Sequence, residues 1–260
     1  MRMIASATIA GLLIAVLPPG TIAQPRKAVN TALLDGVLRR FVQPNGKVRY
    51  AGLKANLAPL TGYVQQLAAV SPDSDPLLYP SRAARLAYWI DTYNALVLWS
   101  FARDYPAKRN RLATLVGRGL FFELQKFTVG GQRLSLDAIE TDKLRVAFHE
   151  PRIHFAIVCA SSGCPWLAPE AYTEANVEPM LDQRARLFVN QRRNMVIDPQ
   201  NRTVILSRIF DWYRKDFGGS DRAVLEFISH YRQDPQTILS GNGWKLSYFD
   251  YNWSPNDAGD

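Results

Sequence analysis

Residues 87–101, AYWIDTYNALVLWSF, are apolar on nearly every face of a helix, and no other stretch constrains the fold as strongly. Such a helix has no polar side to turn to water, so other elements must enclose it at the centre of a domain. Ser81 is placed to cap it, and the pattern runs to about residue 105. Asp91 and Asn94 interrupt the apolar run and, three residues apart, project from one face. Burying a carboxylate or amide without partners costs about 1–3 kcal/mol or more. Each therefore either bonds a neighbouring loop and locks the packing, or lines a cleft.

The elements expected around this helix are mixed in type. Helical spacing covers 24–41 and 57–70, with a turn at Pro44-Asn45-Gly46 and a linker-like stretch at 71–76. Residues 125–129 and 132–136, joined by Gly130-Gly131, read as a hairpin, and Ser135 or Asp137 opens a helix to about Phe148. Residues 152–159 are expected to form a buried strand. A helix over 174–191, a second hairpin at 195–198 and 203–206, helices over 208–217 and 221–232, and a last strand at 244–249 follow. Helices and hairpins without regular βαβ alternation imply an α+β fold: a buried central helix packed against a small antiparallel sheet, with additional helices. Residues 24–260 are expected to form a single domain.

The first residues are set apart from this fold. Met1-Arg2 is followed by an almost wholly apolar run to Leu17, a Pro18-Pro19-Gly20 break and small residues at Thr21 and Ala23. This reads as a secretory signal peptide over 1–23, cleaved after Ala23, and the protein as periplasmic or secreted. About 15 apolar residues fall short of the roughly 20 that span a bilayer, and no later segment is longer. The chain is basic, with 31 Lys and Arg against 23 Asp and Glu and a net charge of +8. Arg103, Lys108, Arg109, Arg111 and Arg118 lie around one loop, and Arg184, Arg186, Arg192 and Arg193 on or after one helix. Either cluster suits an anionic envelope component or is an ordinary solvated face. No nucleic-acid-binding motif is present.

Reactive side chains concentrate in residues 152–165, RIHFAIVCASSGCP. If this is a strand, His154 and Cys159 fall on opposite faces and cannot pair within it, whereas Cys164 after the loop can fold back towards His154. In an oxidising compartment Cys159 and Cys164 pair as a local disulfide; as free thiols, either is a candidate nucleophile. His149-Glu150 followed by His154 has the wrong spacing for a zinc-protease helix, with Pro151 between. No cysteine or histidine pair has zinc-finger or zinc-ribbon spacing, and no phosphate loop, dinucleotide fingerprint or nucleophile elbow occurs, so no metal or cofactor is expected.

Five ordered motifs resemble one family: 88–96 (YWIDTYNAL), 127–140 (FTVGGQRLSLDAIE), 152–165, 206–217 (LSRIFDWYRKDF) and 248–254 (YFDYNWS). In this order and spacing the chain resembles the family catalogued as "domain of unknown function 547", over roughly 77–256. The resemblance implies a domain of exported bacterial and of plant proteins, without a settled activity. It draws attention to Asn94, Glu140, His154, Cys159 and Cys164 as candidate catalytic or cleft residues. The family usually has a histidine where this chain has Thr141, serine where it has Gly163, and proline where it has Trp166. Were that histidine a general base, this copy would be weakened or inactive.

These observations lead to an expected cleft built by Asn94, Glu140, His154 and the 159–164 loop, binding or modifying an envelope or extracellular small molecule or peptide. Two alternatives stand beside it. One is a thiol hydrolase or acyl-transferase using Cys164 or Cys159, on a papain- or transglutaminase-like outline with a histidine on a strand. The other is a non-catalytic interaction module with a Cys159–Cys164 disulfide, in which Trp212, Tyr213, Trp244 and Trp253 pack a core or cover a partner.

Overall fold

A computed structural model describes residues 26–234 and 243–259; the proposed signal peptide and its cleavage point lie outside them. The chain is α+β. Three helices, α1 (Thr31–Phe41), α2 (Tyr50–Ala55) and α3 (Ala58–Ala69), precede the central helix α4 (Arg82–Arg103). Ser81 caps α4 by accepting the Ala84 amide at 3.0 Å. Residues 86–98 of α4 are buried without interruption. Helices α2 and α3 pack against α4, as does the helical stretch 136–148 described below.

After α4 comes a short helix α5 (Leu115–Gly119) that widens into a π turn at Leu120–Leu124. The first hairpin pairs β1 (Phe127–Val129) with β2 (Gln132–Leu134), Phe127 opposite Leu134. Gly130 and Gly131 turn it, both at positive φ. The next helical stretch is α6 (Leu136–Ala138), a π segment Ile139–Arg145, and α7 (Val146–Phe148). Helix α8 (Val177–Val189) leads to a three-stranded sheet of β3 (Met195–Asp198), β4 (Thr203–Leu206) and β5 (Lys245–Tyr248). Strand β4 is central, antiparallel to β3 and parallel to β5. Between β4 and β5 lie α9 (Ile209–Trp212), a 3₁₀ turn at Arg214–Phe217 and α10 (Asp221–Ser229). No described helix is long and apolar enough to cross a membrane.

The strand expected at 152–159 does not form. Residues Pro151–Phe155 make a 3₁₀ turn, with Pro151 in its first positions and Glu150 accepting the Arg152 amide at 3.1 Å. Proline fixes φ near −65°, which starts a turn and not an extended ladder. The Ile153 amide donates to Glu150 O, and the Ala156 and Ile157 amides donate to Ile153 O, so their hydrogen bonds close locally. The alternating faces assumed for His154 and Cys159 therefore do not apply, and the papain-like outline is not reproduced at His154. A 3₁₀ turn instead sends successive side chains about 120° apart. Ile153 joins the core around α4, Phe155 joins a second core of α8, β3, β4, α9 and α10, and His154 between them faces a cleft.

Phe155 is the hinge pin of that arrangement. It is fully buried, with Phe188, Phe210, Phe217 and Phe227 ring centroids 4.7–6.1 Å away. Phe155→Ala empties a site at the middle of the second core, and the expected loss is about 3–5 kcal/mol. Urea denaturation checks this: an unchanged midpoint would show that the second core does not depend on the turn.

Candidate functional site

The polar residues of α4 look outward from the helix to two loops. Asp91 accepts the Tyr172 amide at 3.1 Å. Complete burial pushes its carboxyl well above the usual carboxylate range, only partly offset by that amide and reinforced by Asp35. Asn94 uses both ends of its amide: Nδ2 donates to Ala156 O and Oδ1 accepts from the Val158 amide, each at 3.0 Å. This is a one-residue substitute for a β-ladder, and it holds residues 156–158 in place where the expected strand is missing. Asn94 thus lies behind the site and does not line it.

Glu140, His154, Cys159 and Cys164, by contrast, wall one cleft of about 320 Å³. Two π segments supply part of the wall, Phe122 and Glu123 from the first, Glu140, Thr141 and Arg145 from the second. A π turn re-aims side chains that an unbroken α-helix would direct elsewhere, and such turns recur at functional sites. Thr141, at the position where the resembled family usually has histidine, faces this same cleft.

His154 is held by a network. Its Nε2 lies 2.7 Å from Asp216 Oδ2, and the side chain is 1% exposed. Arg145 grips the same carboxylate from the other side, Nε to Oδ2 at 2.7 Å and Nη2 to Oδ1 at 3.2 Å. The Tyr213 ring stacks on the His154 imidazole at 3.9 Å and carries the Arg145 guanidinium at 4.9 Å. Burial raises the Asp216 carboxyl, but the hydrogen bonds and charges of His154 and Arg145 outweigh it and hold the group well below the usual range. Tyr93 donates to Glu140 Oε2 at 3.3 Å. Burial and the neighbouring Glu140 charge push the Tyr93 and Tyr213 phenols well above their ordinary value.

Cys159 and Cys164 form a disulfide. Their loop is fastened to the end of the chain: the Ser162 and Gly163 amides donate to Ser254 O and Asn252 O at 2.7 and 2.8 Å, and the Asn256 amide donates to Ala160 O. Ala160 sits in the left-handed region at φ 63° and is fully buried. The same end segment brings Tyr251 over the disulfide. A Cβ at Gly163 would come within 2.9 Å of the Tyr251 ring, so glycine here, where the family usually has serine, lets that ring close in.

Aromatic residues line the other side of the cleft. Trp212, Tyr251 and Trp253 contact one another at 4.5–5.8 Å, and the Arg118 guanidinium lies 4.2 Å over Trp253. Trp212 is 47% exposed, so its place is the cleft rim and not the core. Trp244 packs against the second core. The basic clusters are largely engaged within the chain. Asp104 pairs with Arg103, Lys108 and Arg111, while Arg193 donates to Ser162 O and Cys164 O at 2.6 Å. Among the described residues, no three or more His, Cys, Asp or Glu are grouped to hold a metal ion.

Sequence reasoning therefore singled out Glu140, His154 and both cysteines but missed Arg145, Tyr213, Asp216 and Tyr251 as their partners. The signal was available: Tyr213 and Asp216 lie in the fourth motif and Tyr251 in the fifth. Residues 79–189 match the model of DUF547, a protein family of unknown function, the family whose motifs the chain resembles. No curated protein and no solved structure matches the chain.

Two outcomes are expected. Asn94→Ala leaves the Ala156 carbonyl and Val158 amide buried and unpaired, at a cost of about 2–4 kcal/mol by chemical denaturation; a loss below about 0.5 kcal/mol would mean the loop holds itself. For Asp216, the folded-state value lies below the unfolded one, so its stabilisation is complete above the unfolded value and fades as pH falls towards the folded one. Asp216→Asn should lower the melting temperature at neutral pH and narrow its gap from wild type between about pH 5 and pH 2. A constant gap across that range would contradict the assignment.

Proposed function

We propose that this DUF547 chain is an exported, single-domain protein whose cleft binds an envelope or extracellular small molecule or peptide. One observation carries the reading: Glu140, His154 and the 159–164 disulfide, drawn from two separate motifs, face a common 320 Å³ space whose opposite wall is aromatic. Concave sites of this size, apolar for most of their lining with a few fixed polar groups, are the usual form of a ligand pocket. Export is supported by the apolar run to Leu17 with small residues at Thr21 and Ala23, and suits a paired Cys159–Cys164.

The polar groups divide the cleft by charge. Glu123, Asp137 and Glu140 contribute carboxylates, Arg118 and Arg145 guanidiniums, and Trp212 a partly exposed indole. Arg145 is already committed to Asp216, which leaves the carboxylates and Arg118 to orient a ligand. A peptide offers amide donors to the carboxylates and apolar side chains to the aromatic wall. The hydrolase reading needs a free thiolate. A disulfide removes both candidates at once, and this favours binding over thiol-dependent hydrolysis.

Calorimetric titration of the protein beginning at Gln24 with short peptides and soluble envelope fragments tests the reading. At least one probe should bind with Kd below about 1 mM, and Glu140→Gln and Trp212→Ala should each weaken it about tenfold. Glu140→Gln keeps an acceptor for Tyr93 and should leave the unliganded melting temperature nearly unchanged, while Trp212→Ala gives up its contacts with Tyr251 and Trp253 and should lower it slightly. Undiminished binding by both variants would place the ligand elsewhere and sink the proposal.

A further inference from the structure

The surroundings of the disulfide are not those of an inert staple. A structural bridge in a core is wrapped in apolar atoms, whereas polar groups converge on this one from two parts of the chain, the loop itself and Tyr251. Cys164 Sγ receives the backbone N–H of Cys159 at 2.9 Å and the Tyr251 hydroxyl at 3.2 Å, with the Ser161 hydroxyl at 3.5 Å. Ser161 Oγ also stands 2.9 Å from Cys159 Sγ and 3.2 Å from the Tyr251 oxygen. Neutral disulfide sulfur is a poor acceptor and gains little from such donors. A thiolate gains a great deal, because hydrogen bonds to an ionised acceptor are roughly twice as strong as neutral ones.

The two sulfurs also differ in access. Cys164 is 5% exposed, while Cys159 is only partly covered, and both line the 320 Å³ cleft. Behind the loop a second hollow of about 410 Å³ reaches Cys164 but not Cys159. The more accessible sulfur, Cys159, thus opens only to the first space, while Cys164 lines both. Ser161 and Tyr251 also reach Cys159 Sγ, at 2.9 and 3.4 Å, and the Cys159 N–H is the donor that Cys164 alone receives. In thiol–disulfide exchange, rate depends on which sulfur is attacked and rises as the departing thiolate is stabilised.

We propose that the Cys159–Cys164 disulfide is chemically active and oxidises the thiols of a cysteine-bearing peptide that enters the cleft. A substrate thiolate attacks Cys159 Sγ, the S–S bond breaks, and Cys164 departs as a thiolate received by the Cys159 amide, Tyr251 and Ser161. A new disulfide then joins substrate and Cys159. A second substrate thiolate attacks the substrate sulfur of that bond, releasing Cys159. The sum is one substrate disulfide formed, two electrons passed to the protein, and two protein thiols; the two protons come from the substrate thiols. Donors that favour the thiolate stabilise the reduced pair, so the disulfide acts as an oxidant. Tyr251 touches the reacting sulfur and so takes part directly, and Gly163 is the residue that allows it to do so. The proposal rests on the cleft reading only for the route by which the thiol arrives.

The experiment mixes oxidised protein with a reduced two-cysteine peptide and follows both partners by mass. The control oxidant is the isolated six-residue peptide 159–164 in its own disulfide form, which has the same loop without Tyr251. The protein should react at least about tenfold faster than that control and emerge with two thiols, the peptide with a disulfide. Cys164→Ala, preloaded at Cys159 as the thionitrobenzoate mixed disulfide, should trap a one-cysteine peptide on Cys159 with release of thionitrobenzoate, and Cys159→Ala preloaded at Cys164 should do so about tenfold more slowly. Tyr251→Phe should slow exchange and shift the ultraviolet titration of the Cys164 thiolate to higher pH, a readout that a packing role alone would not move. A rate equal to the control, or equal trapping by the two single-cysteine variants, overturns the proposal. If cleft ligands still bind in that case, the cleft reading survives and only the redox assignment falls.

Discussion

The geometry of the site depends on one buried amide. Asn94 is, with Asp91, one of the polar interruptions of an otherwise apolar stretch, and its two hydrogen bonds meet the backbone of Ala156 and Val158. Without a neighbouring strand those backbone groups would be buried unpaired, at a cost comparable with a large fraction of a domain's net stability. With Asn94 in place, the segment runs straight from the His154 turn to the disulfide loop along the wall of the central helix. The buried central helix therefore sets the position of a segment that has no helix or strand of its own. This is how a site gains precision without being built on a strand.

The part of the fold that follows from periodicity was legible in the sequence. The enclosed helix, its Ser81 cap, the Gly130-Gly131 hairpin and the α+β class all rest on local patterns that tertiary packing reinforces. The segment 152–159 was not, because a short apolar run looks alike whether it extends or turns. Pro151 was the clue: it starts the 3₁₀ turn, and the threefold spread of that turn, not a twofold alternation, decides where His154 points. The π segments were invisible for a different reason. Nothing in the residues at 120–124 or 139–145 distinguishes a widened turn from an ordinary one.

The site itself was half legible. Residues with unusual chemistry stand out in a sequence, and so Glu140, His154 and the cysteines did. Their partners are ordinary residues made important by position. Asp216 gains its role by meeting His154 and Arg145 together, and Tyr213 by lying between the two. Trp212 and Trp253 carried a core-like signature but form a rim, because aromatic residues serve burial and recognition with the same surface. Apart from Arg145, these partners lie beyond the 79–189 segment that matches DUF547. The matched segment thus holds the reactive groups with Asn94 and Arg145, and the remainder of the chain supplies Asp216, Tyr213 and the aromatic cover.

The fastening of the 159–164 loop by residues 252–256 carries a consequence for how the protein is made. Those contacts span about ninety residues, so a chain emerging from its N-terminus makes them late. Until they form, Tyr251 and Trp253 are absent, the Ser162 and Gly163 amides are open to water, and the disulfide lacks its cover. A nascent or end-shortened chain can thus own its central helix and first core yet have no cleft. Docking of residues 251–256 therefore completes the cleft, and the disulfide stays uncovered until that segment is in place.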